Sequence, residues 1–105
     1  MKEINVRDLK AMRDRNEDFM LLDVREPDEI ATASIAWATA IPMGDVAQRL
    51  AEIPADKTIA VLCHGGGRSA RVTAFLNENG YADAVNVGGG IRAWSAEIDP
   101  TVPDY

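Results

Sequence analysis

The 105-residue sequence contains one cysteine and one histidine, and these two scarcities exclude several classes of protein. A single thiol, Cys63, cannot close an intramolecular disulfide, so we expect a chain that folds without covalent cross-links in a reducing, cytoplasmic environment. One cysteine and one histidine, His64, also fall short of the ligand set of a zinc site. We therefore expect neither a metal nor another cofactor.

Long apolar runs and basic clusters are missing as well. No stretch reaches the ~18 apolar residues that a membrane span requires, and the opening residues Met1-Lys2-Glu3 are not those of a signal peptide. The formal net charge is −6, and Lys and Arg gather on no segment. We therefore do not expect nucleic acid or a membrane as a partner.

The residues that are present describe one α/β domain. Apolar strand patterns alternate with helical patterns, and the strands over 19–24 and 58–62 are apolar on both faces, as in the centre of a parallel sheet. We predict a three-layer α/β/α domain over residues 1–99, with a five-stranded parallel sheet flanked by helices, and a loose tail over 100–105. The predicted strands lie at Ile4, 19–24, 38–41, 58–62 and 84–87, and the predicted helices at 6–12, 26–30, 45–53, 69–79 and 91–98. A capping box at Asn5 begins the first helix.

The segment around the cysteine carries the strongest chemical signal. Cys63 follows a buried strand and precedes a helix, which is where open α/β sheets place their chemistry. Three glycines leave the loop bare, so that backbone N–H groups can converge on the sulfur or on the group it carries. The helix dipole and the Arg68 guanidinium also favour an anion there and should lower the thiol pKa. A small core cysteine, the alternative, has no need of such a loop.

Other polar residues are expected near the same edge of the sheet. Asp23 and Arg25 follow the second strand. Asp23 could orient an arginine or loop amides, but the structural role of satisfying backbone donors at a turn is favoured. Arg25 could line the entrance or pair with Glu29 four residues later. We expect His64 to face the entrance, since neighbouring residues rarely aim both side chains at one point. The segment 88–90 lacks the spacing of a dinucleotide fingerprint and is interpreted as a close turn between a strand and a helix.

Four segments together resemble the single-domain, rhodanese-like sulfurtransferases. They are LLDVREPDEI (21–30), AIPMGDV (40–46), VLCHGGGRSARV (61–72) and NVGGGIRAW (86–94), in the order and spacing of that family. The resemblance implies a catalytic Cys63 in a cradle loop that binds the substrate or the persulfide. The residues of that loop are His64, Gly65, Gly66, Gly67, Arg68 and Ser69, with Asp23 and Arg25 in support. Two departures are visible: Ala33-Ser34 replaces the usual Gly-His pair, and Gly65 occupies a position that is often basic in the two-domain enzymes that use thiosulfate.

The resemblance also implies a reaction. The Cys63 thiolate takes a sulfane sulfur from a small anionic donor such as thiosulfate, or from a persulfide, and passes it to cyanide, a small thiol or a protein thiol. Because the chain has no second cysteine, the acceptor must come from outside. Two alternatives stay open: a sulfur-carrier or interaction module with little activity of its own, and a cysteine phosphatase. Phosphatase loops place five residues between cysteine and arginine, whereas four residues, 64–67, lie between them here.

Overall fold

The computed structural model describes residues 1–105 and contains five strands. They are β1 (Lys2–Ile4), β2 (Phe19–Asp23), β3 (Thr39–Ala40), β4 (Thr58–Leu62) and β5 (Ala84–Val87). All pairings are parallel, in the order β1-β5-β4-β2-β3, with β4 at the centre. The predicted five-stranded parallel sheet is confirmed, and its central strand leads directly into Cys63.

Four α-helices and two short 3-10 helices connect the strands. The α-helices are α1 (Val6–Asp14), α2 (Pro27–Thr32), α3 (Gly67–Glu78) and α4 (Gly90–Glu97), and the 3-10 helices are Met43–Asp45 and Ala47–Glu52. At the start of α1, the Asn5 side chain accepts from the Asp8 N–H at 2.8 Å and the Asp8 carboxylate accepts from the Asn5 N–H at 3.0 Å. This is the capping box that the sequence predicts.

Alternate residues of the strands enter two separate cores, one on each face of the sheet. Leu22, Val61 and Cys63 face a cluster that includes Val72 and Leu76 of α3. Leu21, Ala60 and Leu62 face a cluster that includes Val6 and Leu9 of α1 and Ile91 and Trp94 of α4. The period of two along a strand therefore explains why the central strands read as apolar on both faces.

The single helix predicted over 45–53 is wrong. Two 3-10 helices occupy this region, and the backbone of Arg49 departs from helical angles at φ −115° and ψ 22°. The segment is bounded by Pro42 and Pro54, and 3-10 turns are common in connections between strands. No helix in the structure is long and apolar enough to cross a bilayer.

Residues 100–105, which the sequence analysis treats as a tail, form no helix or strand. Hydrogen bonds join them to the body at three places. The Ser95 hydroxyl donates to the carbonyl oxygen of Val102 at 2.5 Å, and Arg25 Nη1 donates to the main-chain oxygen of Tyr105 at 2.7 Å. His64 Nε2 lies 3.0 Å from Asp104 Oδ1. The segment thus runs past the edge of the sheet that carries Cys63.

Candidate active site

Cys63 is placed by the end of β4 and by the start of α3. Helix α3 begins at Gly67, two residues earlier than the sequence predicts, because Gly66 takes a left-handed conformation (φ +110°) and turns the chain into the helix. A side chain at Gly66 would be strained in that conformation. The short loop that results encloses Cys63, which is 1% exposed.

The sulfur of Cys63 has two hydrogen-bonding neighbours within its own loop. The Gly66 N–H donates to Sγ at 3.1 Å, and the Ser69 hydroxyl lies 3.2 Å from Sγ. Burial raises the pKa of the Cys63 thiol, but hydrogen bonds from the Ser69 hydroxyl and from the amides of Ser69, Gly66 and Arg68 outweigh burial and lower that pKa below its usual value. The loop therefore stabilises a thiolate, the nucleophilic form of cysteine.

The N-terminus of α4 supports the loop from behind. The Ile91 N–H donates to the carbonyl oxygen of Cys63 at 2.9 Å, and the Arg92 N–H donates to that of His64 at 3.1 Å. Gly90 makes this approach possible: a Cβ there would lie 2.3 Å from the His64 carbonyl oxygen and 2.4 Å from that of Cys63. The glycines at 88–90 predict a close turn between a strand and a helix, but nothing in the sequence indicates the contact of this turn with the cysteine loop.

Asn86 is a second supporting residue that the sequence analysis misses. Its side-chain amide is buried at the end of β5 and donates to the carbonyl oxygen of Gly66 at 3.3 Å and to Glu3 Oε1 at 2.9 Å. The only available signal was a polar residue inside an apolar strand. Asn86 thereby holds the carbonyl group of Gly66, the same residue whose N–H donates to the Cys63 sulfur.

Arg68, the expected anion-binding residue, is already paired with a carboxylate. Its Nη1 and Nη2 atoms donate to Glu29 Oε1 and Oε2 of α2 at 2.6 and 2.9 Å. The hydrogen bond from Arg68 is the main reason that the pKa of Glu29 falls to about 2, and the same pair raises the pKa of Arg68. Glu29 therefore binds Arg68 and not Arg25, whose side chain reaches only the Glu29 main-chain oxygen, at 3.5 Å.

Asp23 and Arg25 form a buried ion pair behind the site. Arg25 is 0% exposed and so does not line the entrance. Its Nε and Nη2 atoms donate to the Asp23 carboxylate at 3.0 and 2.8 Å, and Nη2 also donates to the carbonyl oxygen of Ala33 at 2.8 Å. The Arg25 N–H also donates to Asp23 Oδ1 at 3.1 Å, so Asp23 both satisfies a backbone donor at the turn and orients an arginine.

A surface cavity of about 310 Å³ lies beside the cysteine loop. Carboxylates dominate its lining, which consists of Glu26, Asp28, Glu29, His64 and Tyr105. We call this cavity the mouth. The half-buried ring of His64 lies in its lining, next to Asp104. No three His, Cys, Asp or Glu side chains are grouped so that they could hold a metal ion.

Comparison with known proteins tests the resemblance stated above. The family model of the rhodanese-like domain matches residues 5–97. The chain belongs to the rhodanese-like family. A protein of Allochromatium vinosum named sulfurtransferase is 36% identical over 102 residues, which cover 97% of this chain and 95% of that protein.

Solved rhodanese-like structures share the whole fold. A rhodanese-like domain protein of Staphylococcus aureus superposes with a TM-score of 0.87 at 34% identity and covers 100% of this chain and 99% of that one. A rhodanese-related protein of Thermoplasma volcanium gives 0.86 at 35% identity, with 100% of both chains covered. The predicted family and the predicted α/β architecture are both confirmed.

Within this rhodanese-like domain, the structure brings most of the predicted site residues into one region. Cys63, Gly66 and Ser69 meet at the sulfur, while His64 and the partner of Arg68 lie at the cavity mouth. Gly65 and Gly67 make no close approach that requires a glycine, since a Cβ at either position meets no atom within 4 Å. The cysteine loop is therefore shaped mainly by Gly66, and by Gly90 from outside it.

Proposed function

We propose that this chain is a sulfurtransferase that carries a sulfane sulfur as a persulfide on Cys63. The observation that supports this most directly is the enclosed sulfur of Cys63, which receives hydrogen bonds from Gly66 and Ser69 that favour the thiolate. Membership of a family that contains sulfurtransferases supports the same reaction.

The reaction would be a double displacement. The Cys63 thiolate attacks the outer sulfur of a donor such as thiosulfate or a persulfide, a new S–S bond forms, and the bond that held this sulfur in the donor breaks. The bonding electron pair leaves with sulfite or with the donor thiolate. The loop amides and Ser69, which favour an anion at Sγ, would also stabilise the persulfide anion. An external nucleophile, such as cyanide or a thiol, then takes the outer sulfur and restores the thiolate.

Intact mass spectrometry tests this proposal. Wild-type protein treated with thiosulfate, or with a low-molecular-weight persulfide, should gain the mass of one sulfur atom and lose it when cyanide is added. Cys63→Ser should gain nothing, while Ser34→Ala, a control at an exposed serine outside the cysteine loop, should behave as wild type.

Two other outcomes would contradict the proposal. Hydrolysis of a fluorogenic phosphate ester without any gain of sulfur would indicate a cysteine phosphatase. No gain of sulfur from either donor, with no hydrolysis, would indicate an interaction module that lacks transferase activity.

A further inference from the structure

The basic side chains nearest the cysteine loop and the cavity beside it lie against carboxylates of the chain. Arg25 is paired with Asp23 and Arg68 with Glu29, while Asp104 lies 3.0 Å from His64 Nε2 and 3.8 Å from Arg92 Nε. The next arginine along α3, Arg71, lines a different, apolar groove with Met43 and Phe75. The cavity beside the loop has no arginine or lysine in its lining that could attract a small anion.

The pairing of Arg68 has the geometry of a complete interaction. Both guanidinium Nη atoms bind both Glu29 oxygens in a fork, the arrangement that a carboxylate or another oxyanion would need in order to bind Arg68 itself. The Glu29 side chain is 15% exposed and the Arg68 side chain 33% exposed, so water screens the pair only in part. Glu29 thus fills the fork of Arg68 that an incoming oxyanion would otherwise bind.

The acidic lining of the mouth also repels an anionic donor, in addition to the loss of Arg68 as a partner for it. Glu26 and Asp28 line the same cavity as Glu29, and the net charge of the chain is −6. A field of this sign lowers the local concentration of a dianion and favours a solute that carries a compensating positive charge.

We propose that Glu29 determines donor specificity, by occupying Arg68 and keeping the mouth acidic. The donors selected are sulfane compounds without net negative charge, such as aminothiol persulfides and zwitterionic thiosulfonates, and the dianion thiosulfate is disfavoured. This inference rests on the proposed sulfur transfer at Cys63. It adds the class of donor, for which the cysteine loop alone gives no reason.

The transfer step balances in the same way for both kinds of donor. With thiosulfate, the Cys63 thiolate forms an S–S bond, the S–S bond of the donor breaks, and sulfite leaves with the electron pair. With thiotaurine, a thiosulfonate that carries an ammonium group, the leaving group is the sulfinate hypotaurine. The two donors therefore differ mainly in net charge, and any difference in intrinsic reactivity cancels when one protein is compared with another.

The experiment measures kcat/KM for thiosulfate and for thiotaurine, with cyanide as acceptor, in wild type, Glu29→Gln and Glu78→Gln. Glutamine keeps an oxygen that can accept from the Glu26 N–H, as Glu29 does at 3.0 Å, and removes only the charge. We expect the ratio of thiosulfate to thiotaurine kcat/KM to rise about tenfold in Glu29→Gln. Glu78 is exposed near the end of α3, and Glu78→Gln should change the ratio less than twofold.

Gly65→Lys provides a second test that leaves the Glu29–Arg68 pair intact. Gly65 is exposed and a Cβ there meets no atom within 4 Å, so a lysine can be introduced without a clash at its Cβ and adds a positive charge beside the loop. Gly65→Lys should also raise the ratio, mainly through KM for thiosulfate.

Three results separate the possible failures. A ratio that is unchanged in Glu29→Gln would overturn the inference while leaving sulfur transfer intact, whatever the result with Gly65→Lys. Equal losses with both donors in Glu29→Gln would overturn it as well, because Glu29 would then serve only to position Arg68. If Cys63 accepts sulfur from neither donor in any protein, the proposed function itself fails.

Discussion

Ser69 lies six residues after Cys63, is fully buried, and brings a hydroxyl group to the sulfur. Its main-chain oxygen accepts a 2.8 Å hydrogen bond from the Thr73 hydroxyl one turn further along α3. The position of the Ser69 hydroxyl is therefore set by the first turn of a helix and not by a mobile loop. Such a donor needs little reorganisation when the sulfur becomes charged.

Ser69→Ala tests this role through the pH dependence of persulfide formation. The pKa of Cys63 is lowered in the folded protein, so the reactive thiolate is present above that pKa and is lost as the pH falls through it. Removal of the hydroxyl should raise the pKa and move the rate profile to higher pH. A hydrogen bond to a charged group contributes ~1.5–3 kcal/mol, so we expect a loss of about tenfold or more near neutral pH.

The measurement is the rate of persulfide formation over a range of pH, with Ser34→Ala as the matched control. An unshifted profile in Ser69→Ala would mean that the backbone amides alone hold the thiolate.

At the residue scale, the sequence predicts which residues surround the sulfur better than it predicts the hydrogen-bond partners of the side chains around them. Cys63, Gly66 and Ser69 are recognisable because their spacing along one loop is local. The pairing of Arg68 with Glu29 joins residues 39 positions apart and depends on how α2 packs beside the loop. In the sequence, Arg25 is a nearer partner for Glu29, four residues away. Arg25 does not pair with the Glu29 side chain because it is buried against Asp23.

At the scale of elements, α4 is attached to the cysteine loop by its first turn. The amides of Ile91 and Arg92 have no partner within the helix and donate instead to the carbonyl oxygens of Cys63 and His64. These hydrogen bonds satisfy the free N–H groups of α4 and at the same time hold the backbone of the cysteine loop in place.

Gly90→Ala should break this attachment. The residue has φ +58°, and the added Cβ would lie within 2.6 Å of main-chain atoms of the cysteine loop. Left-handed strain of roughly 1–2 kcal/mol and overpacking of a further 1–3 kcal/mol add up to a loss of about 3 kcal/mol. Urea unfolding measures the loss.

Gly44→Ala is the control for this prediction, because a Cβ there meets nothing within 4 Å and its φ is not in the left-handed region. Its stability should change by less than ~1 kcal/mol. Equal stability of the two variants would show that α4 can withdraw from the loop at little cost.

The elements themselves were largely predictable, with informative exceptions. Strands β2 and β4 stand out because residues on both faces are apolar, and α1 stands out because Asn5 and Asp8 cap it. The α-helix predicted between Pro42 and Pro54 is wrong because the spacing of Val46 and Ile53 does not distinguish an α-helix from 3-10 turns. The start of α3 was placed two residues late, since the left-handed turn at Gly66 has no periodic signal.

At the scale of the whole molecule, Arg25 joins segments that are distant in the chain. Its guanidinium binds Asp23 at the end of β2, the main chain of Ala33 after α2, and the main-chain oxygen of Tyr105. A buried arginine of this kind is stable only while its carboxylate partner is charged and in place.

Asp23→Asn should therefore destabilise the whole domain. Removing one partner of a buried ion pair typically costs 3–5 kcal/mol, because the other charge is left uncompensated. The control is Asp18→Asn, which removes an exposed partner of Lys57 and should cost at most ~1 kcal/mol. The free energy of unfolding in urea compares the two, and equal losses would contradict the role given to Arg25.

The enclosure of Cys63 has a consequence for the order of events in a sulfur-transfer cycle. An S–S bond is about 2 Å long, so the added sulfur would extend the reactive atom outward from a position that is 1% exposed. The outer sulfur of the persulfide would then be easier to approach than the sulfur of the free thiolate. A bulky acceptor would meet that outer sulfur before any atom of the chain. The two steps of the cycle would therefore differ in the size of the partner they admit. Transfer of sulfur to Cys63 would need a slender donor, whereas transfer from the persulfide could reach a bulky acceptor.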